Sequence, residues 1–300
     1  MRTEKRFTPK LLDRFLREGR GTGTYESYIP HHRVSRSDPA SMGRSHLMNW
    51  RGRQRELLSD GEWSGLTFAS HLKNLLDLVE QFPLSIRPAK FELCRWDVRA
   101  RETEYPGTEA LAKKLGIRHP MVHDKDDHAI WIPTTDLLLV LLNGGGFLEL
   151  LAVSWKPGSF SDLSKRAVDL LRLEKTYWEV RGVRWLLITS ETYAKSVALT
   201  LLRTSSWGLA DESPDSHIQL ACTVARAMCD SSQTLVTSQL AHELGGDQYP
   251  AQKALWQAIW RGELPIDLHR GWRPHQPLSH ISSAEFVSLN PIASGRTAWI

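Results

Sequence analysis

Three hundred residues, 41% hydrophobic and 24% charged, suit two domains better than one and can fill a sizeable core. No stretch approaches the roughly 18–20 uninterrupted apolar residues of a membrane span, and MRTEKRFTPK lacks the apolar core of a leader. Cys94, Cys222 and Cys229 form no CxxC pair, so neither a disulfide framework nor a cysteine zinc site is indicated. The expected location is the cytoplasm, with no membrane partner.

Charge is distributed unevenly. Residues 1–56 carry thirteen Lys/Arg (Arg2, Lys5, Arg6 and Arg55 among them) against six acids, a net of +7 in a chain of net +4. A basic arm on a near-neutral body suits phosphate contact, because each neutralised phosphate releases condensed counterions. A solvated basic surface is the other reading of the same charges.

Thr8 to Arg17 reads as a short amphipathic helix, with Leu11, Leu12, Phe15 and Leu16 on one side. EGRGTGT (18–24) is a glycine-rich loop without the GxGxxG or GK[ST] of a nucleotide cradle. An irregular basic stretch follows to about residue 56. Ser59 or Asp60 then caps a helix whose apolar positions Trp63, Leu66, Phe68, Leu72, Leu75, Leu76 and Val79 carry it to about residue 79. EQFPL (80–84) opens a mostly polar connection, and TEALAKKLGI (108–117) is a short helix stopped by Gly116. HPMVHDKDDH (119–128) offers His119, His123, Asp124, Asp126, Asp127 and His128, but no histidine pair on a helix, so a solvated polar loop is expected. His31, His32, His46 and His71 likewise need no metal.

From residue 130 the period changes. IWIPTTDLLLVLL and FLELLAVSWK, joined at Asn143–Gly146, read as antiparallel strands of a sheet buried on both faces. A helix over 161–181, capped by Ser161 or Asp162 and stopped by Gly182, precedes a third strand, VRWLLIT (183–189). This order makes an α/β domain ending near residue 190. Beyond it, helical segments lie around 191–205 and 216–230. LVTSQLAHELGG and YPAQKALWQAIWRGELPIDL follow, and these two resemble a winged helix-turn-helix. The second has few basic residues (Lys253, Arg261), which favours protein contact through Trp256 or Trp260 over groove reading, unless both tryptophans are core. The tail after about 270 is expected to be irregular.

The hairpin brings Asp136 and Lys156 to the sheet end away from the glycine turn. Counting out from that turn pairs Asp136 with Val153 and leaves Lys156 three residues further on, roughly 10 Å at about 3.3 Å per residue. A carboxylate can supply hard oxygen ligands for Mg²⁺ or Mn²⁺ at a scissile phosphate, and a lysine can meet the charge that develops there. This is the D…(D/E)xK logic of type II restriction enzymes. The position two before the lysine should be acidic, and it is Ser154. A second carboxylate must come from elsewhere.

EGRGxG (18–23), YIP (28–30), GRSH (43–46), LLSDxE (57–62), EQFPL (80–84) and GIRHP (116–120) run in one order. They continue with TD (135–136), WKP (155–157) and LRLEKTYWEVRGVRWLLIT (171–189). The series resembles the TnsA family, the transposase subunits that cut the 5′ strands at transposon ends, over about residues 18–189. The resemblance implies a restriction-endonuclease-like domain, with a central mixed sheet flanked by helices, and a smaller, mainly α winged-helix domain over 191–300. It implies a catalytic set of Glu62, Asp136 and Lys156, with Glu62 and Asp136 as Mg²⁺ ligands and Mn²⁺ able to substitute. Ser154 departs from the glutamine that family members commonly carry, and its expected part is to hold water or the metal's surroundings. Glu62 is also suited to a capping box three residues after Ser59. Glu174, in LRLEKTYW, reads as a helix-surface or ion-pair residue.

The same resemblance implies double-stranded transposon-end DNA as substrate, a TnsB-like DDE transposase and a TnsC-like AAA+ ATPase as partners, and association with the nucleoid when acting. Arg20, Arg44 and His46 fall in the matching motifs of the basic arm and are candidates for DNA phosphate contact. Two other functions fit the same residues: a stand-alone restriction or repair nuclease, and a DNA-binding regulator with a degenerate nuclease domain, to which Ser154 is the pointer.

Overall fold

Thr8 opens the first helix, α1 (Pro9–Arg17). Its side chain accepts the Leu11 N–H, and Pro9 sits in the first turn, where no N–H is needed. Leu12 and Phe15 are buried. The computed structural model describes residues 6–41, 44–125 and 127–299. Arg2, Glu4 and Lys5 of the basic arm, Gly43 of GRSH and Asp126 lie outside the described residues.

The basic stretch is not irregular throughout. β1 (His46–Trp50) and β2 (Arg53–Leu57) form an antiparallel hairpin, turned by Arg51 and Gly52, both at positive φ. RQREL looks like a surface strand, yet Arg53, Arg55 and Glu56 are all buried. Three of the arm's arginines are therefore paired with acids, as Arg20–Asp38, Arg33–Glu56 and Arg53–Glu80, and of these acids only Glu80 lies outside residues 1–56.

The helix expected over 59–79 is two elements. α2 (Asp60–Ala69) ends early, and Leu75–Pro83 is a strand, β3. EQFP is the end of that strand and not a polar connection. Minor strands β4 (Ala89–Lys90) and β5 (Glu104–Tyr105) pair with each other. α3 (Thr108–Leu115) stops at Gly116, whose φ of 66° is the left-handed C-cap. HPMVHDKDDH is not a loop. β6 (Met121–Asp124) and β7 (Asp127–Ile130) pair antiparallel, with His123 opposite His128.

β8 (Thr134–Leu142), β9 (Leu148–Trp155), α4 (Lys165–Glu179) and β10 (Arg184–Ile188) complete the core. α4 starts later than expected, because the cap is Ser164, which accepts the Ala167 N–H. The central sheet runs β10-β9-β8-β3, with β10 parallel to β9 and the other pairs antiparallel. Its strands are buried almost without interruption, from Leu137 to Val140 in β8 and Leu150 to Trp155 in β9. The result is an α/β fold with a mixed central sheet flanked by helices.

The chain divides into two compact units, residues 1–63, 74–188 and 299–300 in one, 64–73 and 189–298 in the other. The second unit is helical: α5 (Lys195–Gly208), α6 (Asp215–Ala227), α7 (Gln233–Glu243), α8 (Gln248–Trp260) and α9 (Ser283–Leu289). α9 is built into the tail expected to be irregular, and a Ser282–Glu285 capping box starts it. Trp256 and Trp260 are both core residues, 1% and 4% exposed. Among the described residues no helix is long and apolar enough to cross a membrane.

Candidate active site

Asp136 sits near the start of β8, where the β8–β9 ladder gives out. The last registered pair is Leu137↔Val153, so the register differs by one residue from the count that paired Asp136 with Val153. The connection causes this: the Asn143 N–H bonds the Phe147 carbonyl (2.8 Å), so the turn spans five residues, not four. Beyond the ladder the Trp155 N–H donates to Oδ2 of Asp136 at 2.6 Å. Lys156 Nζ lies 3.4 Å from the same oxygen and donates to the Trp155 carbonyl at 3.0 Å. The gap of roughly 10 Å expected from the strand count is thereby closed.

Glu62 arrives from the first turn of α2. Its N–H donates to Ser59 Oγ (3.1 Å), while its carboxylate accepts the Leu58 N–H (2.9 Å) and the Ser59 hydroxyl (3.3 Å). Capping thus fixes the rotamer of a side chain that is 6% exposed. Gln81, from β3, donates to both carboxylates: its Nε2 is 3.4 Å from Oδ1 of Asp136, and it also bonds Glu62. Burial and the charge of Asp136 push the Glu62 carboxyl up to about 8, against the Leu58 and Gln81 hydrogen bonds and Lys156. At Lys156 burial disfavours the ammonium, but Asp136, Glu174 and Glu62 outweigh it and the amine is raised.

Glu174 is not on a helix surface. It is 7% exposed, and its Oε1 accepts from Thr135 Oγ1 (2.7 Å) and from Ser154 Oγ. Trp178 and Trp185 donate indole N–H bonds to the same two hydroxyls, at 2.8 and 3.0 Å. Burial, then the Asp136 charge, lifts the Glu174 carboxyl to about 7. So the serine at the expected acidic strand position hydrogen-bonds an acid supplied by α4. Gln81 is the residue that the sequence reading does not name, and Glu174 is the one it places on a helix surface. Both lie in motifs of the series, but nothing local reveals their burial.

Over 187 residues the chain is 29% identical to the Transposon Tn7 transposition protein TnsA of Escherichia coli. That match covers 62% of this chain and 58% of the relative's length. No protein-family model matches the chain.

Glu62 and Asp136 are the pair with the chemistry to hold a hard divalent cation. Among the described residues no three His, Cys, Asp or Glu side chains form a ready cluster. Two carboxylates are enough for Mg²⁺, which keeps several waters and takes phosphate oxygens as ligands.

The three arm residues are placed very differently. Arg20 is buried: it donates to Glu18 (2.7 Å) and Asp38 (2.8 Å), and its guanidinium lies 3.7 Å over Phe15. His31 and His32 pack beside it, each pushed to about 3 by burial and so neutral. Arg44 and His46 are gathered by Asp60, at 3.0 and 2.8 Å, two residues ahead of Glu62, and Arg44 is largely exposed.

Glu62 gives the metal-free protein a pH-dependent stability. Between about pH 4.5 and pH 8 the folded chain keeps a proton that the unfolded carboxyl has released, so stability falls as pH rises. Glu62→Gln removes that loss, leaving the smaller one of Glu174. Melting curves in chelator should show the variant gaining on the parent protein from pH 5 to pH 8. Parallel pH profiles would refute the assignment.

Proposed function

We propose that this chain is a metal-dependent DNA endonuclease that cuts the 5′ strands at transposon ends. In this reading it works beside a TnsB-like DDE transposase and a TnsC-like AAA+ regulator. The observation that carries it is the meeting of Glu62 from α2, Asp136 from β8 and Lys156 from the end of β9 around one point. Glu62 and Asp136 would hold Mg²⁺, with Mn²⁺ able to replace it. When bound, the ion supplies Lewis-acid polarisation of the scissile phosphate and a lowered pKa for the attacking water. Lys156, held by Asp136 and the Trp155 carbonyl, presents a charged amine to the oxygens on which negative charge develops. Arg44 and His46, fixed by Asp60 at the head of α2, would take neighbouring phosphates. Arg20 serves that surface indirectly, by bracing the arm.

The helical unit supports a winged-helix reading. α6, α7 and α8 follow in that order, with Ser232 bridged to Pro277 and Ile266 to His280. Asp267 and Ile281 extend the second bridge through bonds to Ser279 and Pro265. Residues 268–276 would be the wing.

Incubation with transposon-end DNA, Mg²⁺ and the partner transposase tests the reading. Nicks mapped to the 5′ strands only when the transposase is present support it. Cutting without the partner supports a restriction or repair enzyme, and no cutting under any condition supports a regulator. The Glu174 carboxylate on Ser154 weighs against the last, since an acid is retained where the strand lacks one.

A further inference from the structure

Gln81 stands out for its backbone. Its φ is +51° inside β3, between neighbours that pair normally, Glu80 with Leu137 and Phe82 with Thr135. A left-handed conformation is unfavourable for an L side chain other than Asn or Asp. The other non-glycine residues at positive φ among those described are Tyr25, Arg51 and Lys125. Arg51 and Lys125 turn hairpins and Tyr25 starts a 3-10 turn; none lies within a strand. The kink is held through its carbonyl. The Gln81 carbonyl accepts from the His31 N–H (3.3 Å) and the Tyr28 hydroxyl (3.4 Å).

The side chain that this kink directs is 3% exposed and fully engaged. Thr134 Oγ1 donates to its Oε1 at 3.0 Å, which fixes the carboxamide so that the NH₂ group meets the acids. That group donates to Asp136 and to Glu62. It is a neutral donor spanning two carboxylates. A lysine or arginine here would replace the cation, and an acid would add a third negative charge. A carboxamide draws the two acids together and leaves their charge for a cation. Strain at a buried residue aimed at reactive groups is the usual mark of a functional constraint.

We propose that Gln81 is a positioning residue that sets Glu62 and Asp136 at the separation a divalent cation requires, and that the left-handed backbone of β3 is maintained for this purpose. This rests on the metal-nuclease reading above. The role has two separable parts, backbone and carboxamide. Gln81→Gly relieves the backbone and deletes the carboxamide. Gln81→Asn keeps a residue that tolerates positive φ and shortens the reach by one methylene.

Calorimetric titration of Mn²⁺ into the DNA-free full-length protein, with melting curves in chelator, tests this. Gln81→Gly should melt no lower than the parent protein and bind Mn²⁺ about 10- to 100-fold more weakly, the range seen when groups that orient metal ligands are removed. Gln81→Asn should lie between the two. Parent-like Mn²⁺ affinity in both variants would overturn the role of Gln81 while leaving the metal site standing. A glycine variant that melts well below the parent would overturn the strain argument, and the asparagine variant still reads the carboxamide. If the parent protein binds no Mn²⁺, or binds it equally with Asp136→Asn, the metal reading itself falls and takes this proposal with it.

Discussion

On the proposed reading, Asp136→Ala is expected to abolish 5′-strand cutting while cutting of the 3′ strands by the partner transposase continues. Asp136 is the hub of the site: Trp155, Gln81 and Lys156 all direct donors at its two oxygens. Removing it takes away one of the two carboxylates suited to a hard cation and the anchor of the lysine ammonium. The loss should be about 10²–10³-fold or more, the scale seen when one group stabilising transition-state charge is deleted. Glu62→Ala should do the same. Because 3′ joining would then proceed on ends still attached through their 5′ strands, the product should change from a simple insertion to a co-integrate. Strand-specific primer extension on the reaction products measures both effects. Full 5′ cutting in either variant sinks the assignment of the catalytic set.

Melting curves of the alanine variant separate lost chemistry from lost fold. Asp136 raises the carboxyls of both Glu62 and Glu174, and its removal relieves two buried acids while it frees the Trp155 N–H and the Lys156 ammonium. Unchanged or improved melting alongside lost cutting is the signature of a group kept for chemistry at the expense of stability.

The sequence shows the hairpin, the α4 crossover and β10 because each announces itself locally. The period changes at residue 130, glycines close the turn, and Gly182 ends the helix. It shows α3 for the same reason, through Gly116. β3 is different. Leu66, Phe68, Leu72, Leu75 and Val79 fit a helical stripe, and no Gly or Pro marks the break at 70–74. A buried strand and a buried helix segment share this look, and only the pairing of β3 with β8 separates them. The hairpin of β1 and β2 was hidden by its arginines, whose partner Glu80 lies 27 residues from Arg53.

The site was legible to a similar depth. Asp136 and Lys156 follow from the strand pattern, but their approach depends on a turn one residue longer than counted. Glu62 needed the family resemblance, since a capping box explains it equally well and the structure shows the capping bonds too. Glu174 and Gln81 carry no local signal. One sits on an amphipathic helix among other charges, and the other depends on a backbone torsion that composition cannot express.

Glu80→Ala should strongly destabilise the sheet-containing unit. Glu80 is fully buried; Arg53 grips it with both terminal nitrogens, and the Glu56 N–H donates to it at 3.0 Å. Arg55 lies 3.7 Å away, its own guanidinium lowered to about 10 by burial, with Glu80 opposing that fall. Without the carboxylate two arginines are left buried with little counter-charge, which costs about 3–5 kcal/mol when one partner of a buried pair is removed. The urea midpoint of the full chain should drop accordingly, and a loss below about 1 kcal/mol, the value of an exposed pair, would refute the anchoring role. Arg53→Met with Glu80→Leu should recover part of the loss, because replacing both charges together leaves no orphan. The consequence for the site follows from sequence neighbours. Glu80 ties β2 to β3, β2 ends at Leu57, and Leu58 begins the turn that fixes Glu62. Gln81, the next residue along β3, reaches back to that same Glu62. One strand therefore anchors the hairpin at residue 80 and aligns the acids at residue 81. Glu80→Ala should accordingly weaken Mn²⁺ binding as well as folding, whereas the double replacement should recover stability and metal affinity together.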